Sequence, residues 1–326
     1  MSSKLTKMLA CGAAALTLSM SAQATEWVMA SGYADDNFHT RNLRALIADV
    51  EELSGGEFKI QLHSNGTLIK LDGIRRAVQS NQVQIGEIRL GVYGNEDPMY
   101  ILDSIPFLAN GYDRAWALKE AQMPYFEKMF ARLGLMPLSF SPWTGQGFYT
   151  KNEINSLEDF KGQRARVYSK TTAKMGEMLG FETTTLPFSE IPQAFATGLI
   201  DALFTSPQTG IDIQAWDNTN HYTVVGALNT KNAVIVNQRA FNRLPDAHKQ
   251  ALLEAGKRAS KRGWEYSEQA FKDQLQVLRD KGMKVKDAPE EVMTRLHEIS
   301  KVLIEDWRVA ASPEAIEVLD AYLASQ

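Results

Sequence analysis

The chain has 326 residues, 44% hydrophobic and 23% charged, the proportions of a folded globular protein and not of a disordered or fibrous one. Its 35 lysines and arginines are outnumbered by 39 aspartates and glutamates, for a net charge of −4 and no basic stripe, which argues against a nucleic-acid partner. At this length one hydrophobic core usually divides into two.

Residues 1–24 read as a cleaved secretory signal. Lys4 and Lys7 form a positive start, Met8 to Met20 an apolar stretch, and Ala22-Gln23-Ala24 a small-x-small cleavage site. The stretch is shorter than the roughly 20 residues that span a bilayer. A lipid anchor on Cys11 is the weaker rival, because most of the apolar run follows the cysteine. Cys11 is the only cysteine. The mature chain is therefore expected to be exported and to carry no disulfide, no thiol nucleophile and no thiolate metal site.

Trp27 to Ala30 reads as a strand. Asp35, Asp36 and Asn37 then offer caps to a helix with apolar residues at Leu43, Leu46, Ile47, Val50 and Leu53, ended by Gly55-Gly56. Alternating Phe58, Ile60 and Leu62 predict a strand, followed by a helix over Leu71 to Ser80 and a strand over Val83 to Leu90. This β-α-β-α-β rhythm predicts a mostly parallel sheet with helices on its faces. Farther on, helices are predicted over Tyr112 to Leu133, Thr171 to Leu179 and Glu190 to Thr197. Strands are predicted over Pro137 to Phe140, Gly145 to Thr150, Arg164 to Tyr168 and Leu199 to Thr205.

Two segments echo each other: Ile74 to Val83 and Ile191 to Ile200 each read as a helix, an Asn or Gly stop, then a buried strand. Either this is the common unit of α/β proteins, or the chain has two similar lobes, each with its own sheet. Leu244 to Lys281 is the longest helical stretch, closed by Gly282. Unbroken, it would reach roughly 55 Å and bridge both lobes. Gly256 and Gly263 are points where it could bend or break. Helices over Pro289 to Val309 and Pro313 to Ala324 complete the chain.

The inventory of chemistry is sparse. His39, His63, His221, His248 and His297 form no HExxH pair, and there is no GxSxG elbow or GxxxxGK[ST] loop. Gly145-Gln-Gly147 lacks the third glycine of a dinucleotide fingerprint. Asp35, Asp36 and His39 could gather at a helix start, but capping accounts for the acids. Neither catalysis nor a metal or cofactor is demanded. An exported two-lobed α/β chain with a bridging helix fits ligand capture between lobes that close.

Three stretches then carry a family resemblance: Leu157-Glu-Asp-Phe-Lys-Gly-Gln-Arg-Ala-Arg-Val167, Leu186-Pro-Phe-Ser-Glu-Ile-Pro-Gln-Ala-Phe-Ala-Thr-Gly-Leu-Ile-Asp-Ala202, and Pro106-Phe-Leu108. With Ala77-Val-Gln-Ser80 and Gly86-Glu87, they make the chain resemble the extracytoplasmic solute-binding subunits of tripartite ATP-independent periplasmic (TRAP) transporters, typified by dicarboxylate-binding proteins. The resemblance implies an α/β, two-lobed periplasmic binding protein fold with a long spine helix. Lobe one is expected to be 25–144 plus 232–270, and lobe two 145–231 plus 271–326. It implies capture of an organic acid and delivery to TRAP permease subunits in the membrane. It also implies no cofactor and action as a monomer. The alternatives are a ligand-presenting sensory protein and, less favoured, a periplasmic enzyme.

By the same resemblance Arg166 pairs with the ligand carboxylate, a role suited to a guanidinium fork. Arg164 lies two positions away on the same strand face, so facing alone does not choose between them. Gly147 stands where many members carry a second pocket arginine, and is expected to leave space ringed by Trp143, Phe148 and Tyr149. Arg89, at a strand end of lobe one, is the candidate replacement charge. Ser206, Tyr168, Phe38, His39 and Phe188 complete the candidate ligand-binding set with Trp143 and Tyr149. Losing one arginine tilts the expected ligand toward a monocarboxylate with an apolar or aromatic body, while Arg89 keeps a dicarboxylate or sugar acid open.

Overall fold

The computed structural model describes residues 24–326, so the secretory-signal reading lies outside the described residues except for Ala24. The chain begins with β1 (Thr25–Ala30), α1 (Phe38–Leu53), β2 (Phe58–His63), α2 (Ile74–Gln79), β3 (Ile85–Arg89), α3 (Tyr112–Arg132) and β4 (Leu135–Pro142). It then crosses to a second body of β5 (Gly147–Thr150), β6 (Arg164–Val167), α4 (Lys170–Leu179), β7 (Glu182–Thr185), α5 (Ile191–Ala196), β8 (Ala202–Thr205), α6 (Pro207–Asp212) and β9 (His221–Val224). After returning it forms β10 (Lys231–Asn237), α7 (Gln238–Asn242), α8 (Asp246–Asp280), β11 (Lys284–Asp287), α9 (Glu290–Ala310) and α10 (Pro313–Ala324).

Two sheets result, ordered β2-β1-β3-β10-β4 and β7-β6-β8-β5-β9-β11. Strand for strand they match, apart from β11, which has no counterpart in the first sheet. β1 pairs parallel with β2 and β3 as β6 does with β7 and β8, and β10 runs antiparallel between β3 and β4 as β5 does between β8 and β9. The sharper reading of the sequence echo, two similar lobes, is the observed one. Even the turns agree: Asn81 (φ 60°) and Gly198 (φ 67°) both take the left-handed conformation, and Gln82 N–H and Leu199 N–H bond back to Ala77 and Ala194. An asparagine can stand in for glycine there because its short polar side chain tolerates that region.

Each sheet contains one strand delivered by a crossing. The two crossover segments, residues 143–146 and 225–230, lie side by side. Trp143 N–H donates to Thr230 O at 2.7 Å, and Gly226 N–H to Gln146 O at 2.8 Å. β10 went unread in the sequence although all seven of its residues are buried.

α1 is capped by Asn37, whose side chain accepts from His39 N–H at 2.9 Å. Its buried Leu43, Leu46 and Val50 pack with Leu252, Ala255 and Ala259 of α8, contributing roughly 1.5–3 kcal/mol for each large side chain. α8 runs unbroken for 35 residues, about 52 Å, and packs on α1 and β4 at one end and on α6 and β11 at the other. Gly256 and Gly263 do not break it. A Cβ at Gly256 would meet Leu138 O at 2.7 Å, and one at Gly263 would meet Ser141 Oγ at 2.3 Å. These glycines let the helix lie directly on β4.

The C-terminal helices depart from the expected division. α10, expected with lobe two, packs on α3 of lobe one, where Tyr322 Oη donates to Leu108 O and Lys128 pairs with Glu314. α9 is wedged between, against α4 on one side and the 98–104 turn on the other. No helix among the described residues is long and apolar enough to cross a membrane.

Candidate ligand-binding cleft

The carboxyl ends of parallel strands leave a crevice in open α/β sheets. Here two such ends face each other. The cleft between them is lined by Tyr33 after β1, Arg89 closing β3, Arg166 and Tyr168 on and after β6, and Thr205 and Ser206 ending β8. Thr209 of α6, Phe188 and the crossover residues Trp143, Gln146 and Thr230 complete the wall. Its empty volume, part of it open to solvent, is about 350 Å³.

Arg166 is only 2% exposed. Its Nε and Nη2 donate to Leu186 O at 3.1 and 2.9 Å, which fixes the guanidinium and leaves Nη1 free. Burial, and then the neighbouring Arg89 charge, lower its pKa to about 9, so it remains charged at neutral pH. Arg89 donates Nη1 to Tyr168 O across the lobes at 3.3 Å. The two guanidinium carbons lie 5.0 Å (Arg89) and 5.9 Å (Arg166) from the Tyr168 ring centroid. Among the described residues neither arginine has a carboxylate at salt-bridge distance, and no aspartate or glutamate lines the cleft. Two neighbouring cations without a counter-charge make a seat for an anion. Arg164, the sequence rival, is exposed and bound bidentately by Asp201.

The remaining lining groups are tied to the scaffold. Tyr168 Oη donates to Gln146 Oε1 at 2.6 Å, Gln146 Nε2 donates to Thr230 Oγ1 at 3.0 Å, and Trp143 Nε1 donates to Asn232 Oδ1 at 2.8 Å. Ser206 caps α6: its Oγ accepts from Thr209 N–H and donates to Thr209 Oγ1, so the Thr209 proton is free to face a ligand. Burial pushes the Tyr168 phenol well up, and it stays protonated.

Of the expected residues, Arg166, Arg89, Ser206, Tyr168, Trp143 and Phe188 line this cleft, and three do not. Tyr149 points to the opposite face of its sheet, packs 4.5 Å from Tyr222 and donates to Ser206 O and Pro207 O. Phe38 is fully buried in a satellite core with Tyr33 and Trp143. His39 stands behind Trp143, with ring centroids 4.4 Å apart, and burial lowers its pKa to about 3. It faces Glu87 at 3.6 Å in an inner polar pocket.

Gly147 also leaves the expected picture. It does not line the cleft, and a Cβ there would meet Thr223 O at 2.2 Å and the Tyr222 ring at 2.8 Å. The glycine serves strand packing and opens no space for ligand; its neighbour Gln146 supplies the side chain that enters the cleft. Gly147→Ala is expected to lower unfolding free energy by about 3 kcal/mol in a denaturant melt, since the obstacle is backbone. A wild-type melt would show that β5 can shift.

Tyr33, Gln146, Thr205, Thr209 and Thr230 escaped the sequence reading. For Tyr33 and Thr205 a signal existed, because both follow strand ends equivalent to those carrying Arg166 and Arg89. Gln146 and Thr230 sit on the crossovers, whose pairing only the fold reveals.

The lobes also touch at a second place. Asn37 Nδ2 donates to Asp212 Oδ2 at 2.9 Å, and Asp212 Oδ1 accepts from Gln208 Nε2 at 2.6 Å. Gln208 Oε1 accepts from Gln274 Nε2 of α8 at 2.7 Å. The contact thus runs from the cap of α1 through α6 into the spine helix.

Residues 29–309 match the family described as bacterial extracellular solute-binding protein, family 7 (DctP). The chain belongs to the DctP family. The TRAP resemblance read from Leu157–Val167 and Leu186–Ala202, and the two-lobed fold with its spine helix, are borne out. Among solved structures the chain is similar to two Bordetella pertussis extracytoplasmic solute receptors binding pyroglutamic acid. DctP6 is 40% identical, covering 92% of this chain and 100% of that one, and DctP7 is 38% identical, covering 92% and 99%; both give a TM-score of 0.88. A marine metagenome TRAP solute-binding protein specific for pyroglutamate is 32% identical over 93% and 99% of the two chains, also at 0.88. Family and neighbours alike are binding proteins of transport. Among the described residues of this DctP-family chain, no group of three or more His, Cys, Asp or Glu is placed to hold a metal ion.

Proposed function

We propose that this chain captures pyroglutamate, a five-membered lactam carrying one carboxylate, and delivers it to TRAP permease subunits. The observation that carries the reading is the pair of unpaired guanidinium groups, Arg166 and Arg89, converging on a small cleft with no acid in its wall. The kinship with three receptors that bind pyroglutamate supports it. The carboxylate sits on Arg166 and Arg89; the flat ring lies among Trp143, Phe188 and Tyr168. Anionic ligand neutralises the two facing cations, which favours the closed form over the open one. In this reading lobe one (25–144 plus 232–270, with α10 packed on it) and lobe two move about the crossovers as separate bodies, and the signal at 1–24 is cleaved to release the chain in the periplasm.

An acid with an ammonium beside its carboxylate meets two cations and no counter-charge, so free amino acids are rejected. Isothermal titration of refolded, ligand-free protein tests the reading, with pyroglutamate, proline, glutamate, 2-oxo acids and C4-dicarboxylates as ligands. Pyroglutamate is expected to bind tightest, and at about 100 times its Kd to add roughly 2.7 kcal/mol to stability. Tighter binding of a dicarboxylate or an amino acid overturns the ligand.

A further inference from the structure

Tyr33 belongs to none of the motifs that carried the family resemblance, yet it is the cleft group whose chemistry is most incomplete. It is 2% exposed, and its hydroxyl oxygen has no hydrogen-bond partner among the described residues. The neighbouring Asn232 amide bonds other groups. Its Oδ1 is taken by Trp143 Nε1 and its Nδ2 faces the inner carboxylate, donating to Glu87 Oε1. The hydroxyl therefore stands in the cleft wall without a protein partner.

The ring that carries it is fixed from both ends. Tyr33 N–H donates to Ser31 Oγ at 3.4 Å, and Tyr33 O accepts from Asn65 N–H at 2.7 Å and Thr40 Oγ1 at 3.3 Å. Edge-on rings of Trp143 at 5.1 Å and Phe188 at 5.9 Å hold its plane. A ring so held keeps its hydroxyl oxygen in place, and leaving that group unmet is costly.

We propose that Tyr33 is a specificity-determining residue whose hydroxyl donates to an uncharged oxygen of the ligand, the ring carbonyl of a lactam acid, and so separates lactam acids from carbocyclic acids of the same size. This rests on the pyroglutamate reading above. The guanidinium groups of Arg166 and Arg89 each carry five N–H donors and together spend three on Leu186 O and Tyr168 O. That leaves enough for both carboxylate oxygens. The Tyr33 hydroxyl and the Thr209 proton are then the donors left for the neutral end, and of the two only the Tyr33 oxygen has no partner of its own. Rejection of an analogue that lacks the bonding group is the stronger form of discrimination, because the buried polar group of the site is left unpaired.

The test pairs two ligands with two proteins by titration calorimetry. Wild type is expected to bind pyroglutamate about tenfold or more tightly than cyclopentanecarboxylate, which has the ring and carboxylate but no carbonyl. Tyr33→Phe, which keeps the packing against Trp143 and Phe188, is expected to weaken pyroglutamate about tenfold and leave cyclopentanecarboxylate unchanged. Equal weakening of both ligands, or no weakening of either, overturns the role given to Tyr33 while the pyroglutamate reading stands. Failure of wild type to bind pyroglutamate, with another acid binding, overturns that reading and the proposal together. Should Tyr33→Phe fail to fold, the wild-type ratio of the two ligands decides: a ratio near one overturns the proposal.

Discussion

Arg166→Ala folds and loses about 2–5 kcal/mol of ligand affinity, a drop of roughly 30-fold to several-thousand-fold by titration calorimetry. The size follows from leaving a carboxylate in a nearly dry cleft with one partner gone. Arg166→Lys does not restore binding, because an ammonium lacks the planar fork that grips Leu186 O and a carboxylate together. Stability without ligand moves differently. With a folded pKa of about 9, below the ordinary arginine range, the guanidinium holds its proton less tightly in the folded chain. Above pH 9 the folded form sheds that proton first, so the destabilisation is relieved as pH rises, and at pH 7 it is fully present. Arg166→Met keeps much of the stem and removes the charge. It is expected to melt no lower than wild type in the absence of ligand, and to show no ligand-induced rise. A melt far below wild type would make Arg166 a structural strut and not an anion seat.

Asn37→Asp is the second large effect, and it is acid-sensitive. The substitution sets a carboxylate against Asp212 across the lobes, where Asn37 Nδ2 now donates. Burial raises Asp212 to about 6, against bonds from Gln208 and Asn37 that lower it, with Asp36 adding a smaller upward push. A carboxyl raised in the folded form favours that form at low pH, and the advantage is lost as pH climbs from its ordinary range through 6. At pH 7.5 the two acids repel and affinity falls by about 2 kcal/mol. At pH 5.5 Asp212 takes a proton and several-fold of that loss is recovered. Asn37→Ser retains a helix cap but cannot reach Asp212. It is expected to cost about 1.5 kcal/mol of affinity at either pH. Affinity for the Asp variant that is equal at both pH values would exclude Asp212 from closure.

Local pattern carried most of the parallel strands of both sheets. β1, β2, β3, β6 and β8 and the helices between them follow from alternation, caps and stops. Ser169 and Thr172 make a reciprocal cap for α4, and Gly180 (φ 109°) ends it. What pattern could not give is β10 in lobe one between β3 and β4, since these partners lie about 150 and about 95 residues earlier in the chain. The site divides the same way. Arg166 was legible because a motif surrounds it, and Arg89 because it ends a strand. Tyr149 and Phe38 were misplaced because an aromatic residue near a site carries no information about which face of its element it takes. His39 was drawn one layer too far forward, since Trp143 stands between it and the cleft.

The borrowed strands bear on how this chain can be made at all. A ribosome that has released residues 24–144 has produced β1 to β4 but not β10, so both β3 and β4 present open edges where the inner strand belongs. Such edges pair readily with other chains. The first lobe cannot be completed before the whole second lobe has been synthesised, and neither lobe can be cut out as a contiguous fragment with its sheet intact. Assembly is therefore a late, long-range event, of the kind that slows folding and leaves the unfinished chain in need of protection. Circular permutation that opens the chain near residue 90 and joins the native termini would leave that dependence in place, because the crossing itself creates it.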